Sequence, residues 1–273
     1  MGPPLDTVWF LSDYGLDDEF VGVVKGVVKA IAPEVTVIDL THQIPAYDVR
    51  AGSLALARSM QYLSPGVVLA VVDPGVGSDR RSVAVEVGGD DGTTAFLVGP
   101  DNGLLAPAVA MVGGARRAVS LTNPDYQIPA PGPTFAGRDV MAPAAAHLCA
   151  GVELDLLGEP VDPLSLLPGI IPLSRQEDGR TVGEVLWIDH FGNAQLNVDP
   201  DEIAAIEGPL LVKAGDHARV ATRVTRFSEL KPGQVGVMVD SYGLLAVVLD
   251  RRSAADELRL HTGSAVTLEP APD

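Results

Sequence analysis

The sequence has one cysteine, few aromatic residues and a marked shortage of basic residues. Cys149 has no second cysteine to pair with, which excludes a disulfide-stabilised scaffold and suits a reducing compartment. Lys and Arg number 19 against 36 Asp and Glu, giving a formal charge of −17. Binding a phosphate backbone requires clustered cations, so we expect no nucleic-acid partner. The surplus carboxylates indicate solubility more than a cationic ligand.

Other signals are also missing. No run of about 18 uninterrupted apolar residues occurs, and the N-terminus lacks the basic start and apolar stretch of a signal peptide, so we expect no membrane span and a cytoplasmic location. Neither Gly-x-Ser-x-Gly nor a Gly-rich phosphate loop in dinucleotide or Walker spacing is present, which argues against a serine hydrolase, NAD and nucleoside triphosphates. The five histidines are not spaced as a closed metal site requires, so we predict no metal and no cofactor.

The first half of the chain alternates β-rich runs with helical periodicity. This pattern predicts an α/β domain with a mostly parallel sheet and flanking helices. We expect one helix after Asp17 as its N-cap, a second from about Asp48 to Tyr62, and a third from about Arg138 to Ala150. The predicted strands are Val8–Leu11, Val35–Leu40, Gly66–Val72, Ser82–Val87 and Ala95–Val98.

The second half of the chain has a different pattern of short β-rich runs. A Pro- and Gly-rich stretch interrupts the pattern, so we expect an α/β domain over 1–165, a linker over 166–180 and a β-barrel-like domain over 181–273. The short β-rich runs separated by turns favour a small all-β barrel or sandwich. These runs are Val182–Ile188, Leu210–Val212, Ala218–Val224, Gln234–Val239, Leu244–Leu249 and Ala265–Leu268.

Polar residues follow three predicted strands of the first domain. Ligands of open parallel sheets bind beyond the carboxyl ends of the strands, which gives these positions weight. The Asp13 carboxylate can accept from two ribose hydroxyls, although an acidic turn that caps the next helix is the simpler interpretation. Asp73-Pro-Gly-Val-Gly77 is by itself a tight turn, but Arg80 can fold back to pair with Asp73 and polarise a water.

The second domain carries two turns of similar composition. In Asp189-His-Phe-Gly-Asn193, the Phe191 ring offers a flat surface for a base, and Asn193 offers a donor and an acceptor for its edge. The alternative is an ordinary hairpin turn in which Gly192 allows the bend. Asp240-Ser-Tyr-Gly243 is a comparable turn.

Taken together and in order, these segments resemble the S-adenosyl-L-methionine hydrolases, or hydroxide adenosyltransferases, which are relatives of the fluorinases and chlorinases. The similarity spans essentially the whole chain and is far more specific than any one segment. The matching segments are Ser12-Asp-Tyr-Gly-Leu-Asp-Asp18, Thr41-His-Gln-Ile-Pro-Ala-Tyr-Asp-Val-Arg50, 73–81, Val98-Gly-Pro-Asp-Asn-Gly-Leu-Leu105, Thr134-Phe-Ala-Gly-Arg-Asp139, 189–193 and Ser241-Tyr-Gly243.

The resemblance implies hydrolysis of S-adenosyl-L-methionine to adenosine and L-methionine by a homotrimer, whose sites lie between one subunit's first domain and its neighbour's second. Asp73 and Arg80 would then belong to the family's water-activating set. The resemblance assigns substrate binding to a larger set. Asp13 would bind the ribose, Asp18 and Tyr47 would enclose the ligand, Phe191 and Asn193 would take the adenine, Asp189 and Ser241 would hold the methionine ends, and Asn102 and Phe135 complete the set.

The chemistry is consistent with this assignment. An oxygen nucleophile that attacks the ribose C5′ of a sulfonium releases a neutral thioether, so charge is dispersed at the transition state and a dry pocket helps. The halogenase relatives lack the Asp-Pro-Gly-Val-Gly and Arg set, and the charge of Asp73 would repel a halide. Hydrolysis is therefore favoured over a halide-using adenosyl transfer.

One position departs from the family. Hydrolases of this family have histidine where this chain has Ala136, so the third member of the water set is missing. A general acid or base typically contributes 10²- to 10⁴-fold, so we expect binding to survive and turnover to be slow, whether the alanine is natural or engineered.

A protein that binds S-adenosyl-L-methionine or adenosine without cleaving it is the alternative hypothesis, and a structural protein with no nucleoside site is a third. Asp250, Arg251 and Arg252 also depart from the family, so the resemblance assigns no adenine-edge contact to these three residues.

Overall fold

The computed structural model describes residues 5–88 and 94–272. The chain divides into two compact units, Met1–Ile170 and Ile171–Asp273. No helix among the described residues combines the length and apolarity that a membrane crossing needs.

The first unit is an α/β sheet with helices on both faces. Its strands and helices follow in chain order: β1 (Thr7–Ser12), α1 (Phe20–Ile31), β2 (Thr36–Thr41), α2 (Val49–Met60), β3 (Val67–Val71), β4 (Ser82–Gly88), β5 (Thr94–Pro100), α3 (Ala106–Met111), β6 (Ala115–Ser120), α4 (Ala142–Cys149) and β7 (Glu159–Val161). All five strands predicted from the sequence are present. The helix α3 and the strands β6 and β7 were not among the elements predicted from the sequence.

The sheet is parallel in one half and antiparallel in the other. Its order is β2-β1-β3-β5-β4-β6-β7, and the pairs β2–β1, β1–β3 and β3–β5 are parallel. The pairs β5–β4, β4–β6 and β6–β7 are antiparallel. A parallel connection needs a crossover of a dozen or more residues, and only 89–93 separate β4 from β5, so these two strands pair as neighbours in opposite directions.

Because β1 and β3 are parallel neighbours, their carboxyl ends lie side by side. Val8 pairs with Val67 and Ser12 with Val71, so Asp13 and Asp73 leave the sheet at the same edge. Both faces of these strands are buried: Phe10 and Leu69 pack on the face of α1 and α4, whereas Leu11 packs on the face of α2 and α3. Strands covered on both faces read as continuous apolar runs, which explains why their positions were predictable.

Two of the three helix predictions need correction. The first helix begins at Phe20 with Glu19 in the N-cap position, so Asp17 does not cap it, because a capping residue must directly precede the first turn. The third predicted helix is present over nearly the expected range, but its first part, Gly137–Met141, is a π turn that α4 follows directly. The second is confirmed at its start, where the Asp48 side chain accepts from Ala51 N at 2.8 Å. Cys149 is buried at the end of α4, as expected of a core residue.

The second unit is a closed β-barrel. Its elements are β8 (Arg175–Glu177), β9 (Arg180–Ile188), β10 (Ala194–Leu196), β11 (Leu210–Ala214), β12 (His217–Arg223), β13 (Val235–Val239), β14 (Leu245–Leu249), α5 (Ala254–Leu258) and β15 (Ala265–Pro270). The strands run in the order β10-β14-β13-β12-β11-β15-β9, and the β9–β10 pair closes the ring, with β8 outside β9. Closure leaves the barrel without a free edge and confirms the predicted architecture.

Candidate active site

The loop after β3 holds a buried ion pair. Arg80 Nε donates to Asp73 Oδ1 at 2.6 Å, and Arg80 Nη2 donates to Asp73 Oδ2. Arg80 Nη1 donates to Ser82 Oγ at 2.8 Å, which fixes the guanidinium on β4. The two charged side chains are only 13% and 6% exposed, so the carboxylate is held in a defined orientation by a two-pronged contact.

The local sequence explains how the chain returns over seven residues. Val76 N donates to Asp73 O at 3.2 Å, and Ser78 N donates to Gly75 O at 3.1 Å, which makes two successive turns. Gly77 has a φ of +80°, in the left-handed region that favours glycine. A Cβ on Gly75 would lie 3.2 Å from Arg80 Cγ, so glycine also leaves room for the returning side chain.

Asp13 is pinned at the end of β1 by a loop that is distant in sequence. Its Oδ2 accepts from Tyr47 N at 2.9 Å, and Tyr47 itself has a φ of +68°. Burial raises the pKa of the Asp13 carboxyl, with a smaller raising effect from the Asp73 charge, while the Tyr47 N–H lowers it. The two predicted site carboxylates are therefore close enough to influence each other. A non-glycine residue at positive φ is uncommon and is often found at functional positions.

Ser12 and His42 form a buried polar contact next to Asp13, at the end of β1. Ser12 Oγ and His42 Nδ1 lie 2.8 Å apart, and both residues are buried. His42 Nε2 lies 3.0 Å from Asp39 Oδ1. Both ring nitrogens thus face neighbours other than the Asp73–Arg80 pair, and His42 is a supporting residue of the loop.

The segment that contains Ala136, the family's histidine position, packs against an aromatic cluster through Phe135. Phe135 packs edge-on against Tyr14 and Phe20, with ring centroids 5.6 and 5.1 Å apart. Ala136 is half-buried and directly precedes the π turn at Gly137–Met141. Such turns are rare and are frequently found at functional sites. The structure thus brings Phe135, the neighbour of Ala136, to the ring of Tyr14, a residue of the matched segment 12–18 to which the sequence assigned no role.

Two further predicted residues lie nearby. Asn102 Nδ2 donates to Val72 O at 2.9 Å, so its amide ties the loop after β5 to the residue preceding Asp73. Its Oδ1 accepts from Leu104 N at 3.1 Å, which leaves the side chain engaged within its own unit. Asp18 is exposed in the turn before α1.

In the second unit, the turn at 189–193 joins β9 to β10 as a hairpin. Gly192 N donates to Asp189 O at 3.0 Å with a φ of +82°, as the simpler interpretation expected. Asp189 Oδ1 accepts from the Phe191 and Asn193 backbone N–H groups, and Asn193 Nδ2 donates to Asp189 Oδ2 at 2.8 Å. The side chains of Asp189 and Asn193 therefore bond to each other, whereas the Phe191 ring is 74% exposed.

A cavity of about 460 Å³ opens beside this turn. Phe191 and Asn193 line it together with Phe227, which is 41% exposed and carried no recognisable signal in the sequence. Residues 250–252 line the same cavity. Ser241 is exposed in the turn joining β13 to β14, where Gly243 N donates to Asp240 O at 3.2 Å.

Among residues 5–88 and 94–272, no group of three or more His, Cys, Asp or Glu side chains is arranged to hold a metal ion. The site's acidic residues are instead bound to Arg80, to backbone N–H groups or to an amide.

The fold and these loops define a two-unit protein, an α/β sheet and a β-barrel, with polar loops at the carboxyl edge of the sheet. The model of the SAM hydroxide adenosyltransferase N-terminal domain matches residues 8–158, and the model of the C-terminal domain matches residues 183–267. The chain belongs to this SAM hydroxide adenosyltransferase family.

Named relatives agree with this membership. An (R)-S-adenosyl-L-methionine hydrolase of Salinispora tropica is 44% identical over 264 residues, covering 95% of this chain and 96% of the relative. A fluorinase of Nocardia brasiliensis is more distant, at 28% identity over 295 residues and 95% of each chain. The crystal structure of an uncharacterised conserved protein from Thermotoga maritima superposes with a TM-score of 0.86 at 30% identity, covering 96% of this chain and 99% of that one.

Proposed function

We propose that this chain is an S-adenosyl-L-methionine hydrolase that forms adenosine and L-methionine. The observation that carries the proposal is the buried Asp73–Arg80 pair beside Asp13 at the carboxyl edge of the sheet. Family membership and the 44% identical hydrolase support the same reaction.

Each charged group has a distinct part in the step. A water oxygen attacks C5′ of the ribose, the C5′–S bond breaks, and the sulfur keeps the bonding pair as the neutral thioether of methionine. An ionised carboxylate has about four acceptor positions, of which Arg80 takes two, so Asp73 retains the capacity to accept a water proton. Arg80 stabilises developing hydroxide and fixes the carboxylate.

The remaining assignments belong to the same proposal. Asp13, Asp18, Tyr47, Asn102 and Phe135 of the first unit hold the ribose and enclose the ligand. Phe191 and Asn193 of the second unit take the adenine, and Asp189 and Ser241 take the ends of methionine. Because Asp189 and Asn193 already bond to each other, we expect ligand binding to exchange that contact for contacts with the substrate. We extend the proposal to a homotrimer on the family resemblance alone, and to a cofactor-free protein of the cytoplasm on the sequence features described above.

The reaction is tested by identifying its products in water labelled with heavy oxygen. Attack by water at C5′ places the label in the 5′-hydroxyl of adenosine and leaves methionine unlabelled, which mass spectrometry of the separated products reads directly. Calorimetric binding of S-adenosyl-L-methionine with no product over many hours would instead identify a binding protein. Formation of 5′-chloro-5′-deoxyadenosine in chloride buffer would identify a halide-using enzyme.

Asp13→Asn is expected to weaken adenosine binding by about tenfold, because an uncharged amide replaces a charged acceptor of two ribose hydroxyls. The raised pKa of Asp13 adds a pH dependence: protonation removes the charged acceptor, so affinity falls on acidification with a midpoint above the ordinary value of 3.8. Calorimetric titration at several pH values measures both effects. Asp17→Asn, in the same loop and exposed, is the matched control, and equal affinities for the two variants would contradict the ribose assignment.

A further inference from the structure

Tyr14 places a phenol hydroxyl in the candidate site at a position that no family assignment covers. Its ring is surrounded edge-on by Phe10, Phe20 and Phe135, with centroids 5.6 to 6.4 Å away. The cluster fixes the direction in which the ring points. The hydroxyl is the polar end of a side chain whose ring is packed among other aromatic rings.

The hydroxyl points at the backbone beside Ala136. A Cβ added to Gly137 would lie 2.1 Å from Tyr14 Oη and 3.2 Å from Tyr14 Cζ. Gly137 does not need glycine for a positive φ, so the space occupied by Tyr14 Oη explains the glycine at this position. The same added Cβ would lie 3.4 Å from Val71 Cγ1, so the Tyr14 hydroxyl and the end of β3, which leads to Asp73, both lie close to the residue that follows Ala136.

Three of the four charged groups that influence the pKa of Tyr14, namely Asp13, Asp73 and Arg80, belong to the candidate site. Burial raises the pKa of the Tyr14 phenol most, the charges of Asp13, Asp73 and Asp139 raise it further, and Arg80 lowers it. The phenol therefore stays protonated at neutral pH and can both donate and accept a hydrogen bond. It cannot serve as the base, so the water proton goes to Asp73.

We propose that Tyr14 Oη holds the attacking water in this chain, at the place left open by the alanine at position 136. The inference rests on the proposed hydrolysis and deepens it: Asp73 and Arg80 polarise the water, and the Tyr14 hydroxyl supplies the third contact that orients its lone pair. Tyr14 is thus a water-positioning residue that touches the nucleophile but not the leaving group.

Tyr14→Phe removes only the hydroxyl and keeps the aromatic cluster, so it tests the contact without removing the packing. We expect kcat to fall about tenfold, the size of one lost hydrogen bond to the water, with KM for S-adenosyl-L-methionine changed less than twofold. Tyr126→Phe is the matched control, because it removes a tyrosine hydroxyl elsewhere in the first unit, and it should leave kcat unchanged. Melting temperatures of both variants separate a catalytic loss from a folding defect.

The same substitution in an Ala136→His background distinguishes water positioning from packing. If histidine supplies the third contact, the effect of Tyr14→Phe should shrink to less than threefold, whereas a packing role would give the same factor in both backgrounds. Unchanged kcat in Tyr14→Phe, or equal losses in both backgrounds, would overturn the role of Tyr14 while leaving hydrolysis intact. If neither the unaltered chain nor Ala136→His releases adenosine, the proposed hydrolysis fails and this inference fails with it.

Discussion

Asp73→Ala lowers kcat for S-adenosyl-L-methionine hydrolysis by a factor of about 10² to 10⁴, with a much smaller change in substrate affinity. The carboxylate is the proposed proton acceptor, and Arg80 holds it with two hydrogen bonds. Removing it takes away the proton acceptor and also releases the guanidinium from its fixed orientation. The measurement is single-turnover adenosine release, which reports the chemical step alone.

A loss of this size needs a stability control, because breaking a buried pair leaves an uncompensated charge at a cost of about 3–5 kcal/mol. The chain offers a matched pair one residue along: Arg81 Nε donates to Asp101 Oδ2 at 3.0 Å, and the Asp101 side chain is 5% exposed. Asp101→Ala should lower the melting temperature comparably without a comparable loss of kcat. Asp79→Ala, an exposed carboxylate of the same loop, should change neither quantity.

The prediction has two distinct failures. If Asp73→Ala and Asp101→Ala lose the same small fraction of kcat, the Asp73–Arg80 pair is structural and the water site lies elsewhere. If Asp73→Ala keeps full activity at full stability, the carboxylate has no part in accepting the proton. Arg80→Lys refines the first case, since lysine keeps the charge but cannot make the two-pronged contact.

The predictability of the fold followed the strength of local periodicity. Strands such as β1 and β3 are buried on both faces, so their apolar runs identify them directly, and Asp48 caps α2 as its position indicated. Three-residue strands such as β8 and β10 are too short to carry a period. Whether neighbours such as β4 and β6 pair in parallel or antiparallel fashion depends on contacts between segments distant in the chain, which periodicity does not encode.

The site shows the same division. Arg80 pairs with Asp73 across seven residues through two turns whose glycines are visible in the sequence, so this contact was predictable. The bond from Tyr47 N to Asp13 spans 34 residues and depends on how two loops meet at the sheet edge. The direction of the Tyr14 hydroxyl depends on three aromatic neighbours that come from different parts of the chain, so local sequence does not determine it. Family similarity supplied roles for residues, but not the contacts they make within the free chain.

Ala136→His raises kcat by a factor of about 10² or more, the typical contribution of a general acid or base. The substituted side chain is next to Gly137, which is in close contact with Tyr14 Oη. The charges of Asp73 and Arg80 both influence the pKa of Tyr14. An imidazole there adds a second proton acceptor to the water site and restores the family's motif. Substrate affinity should change little, because the residues assigned to ribose, adenine and methionine are untouched.

The pH profile gives this prediction a signature that a change in packing does not produce. Histidine has an ordinary pKa near 6.5. If a histidine acts as the base, the plot of kcat against pH therefore gains a limb on which kcat rises between about pH 6 and 7. The unaltered chain lacks an imidazole at this position and should lack that limb. Ala136→Leu, similar in bulk but without ring nitrogens, is the control and should show neither the gain nor the limb. Equal rates for the leucine and histidine variants, each with normal affinity for S-adenosyl-L-methionine, would mean that the chain activates its water without a base at position 136, and that Asp73, Arg80 and Tyr14 are the complete water site.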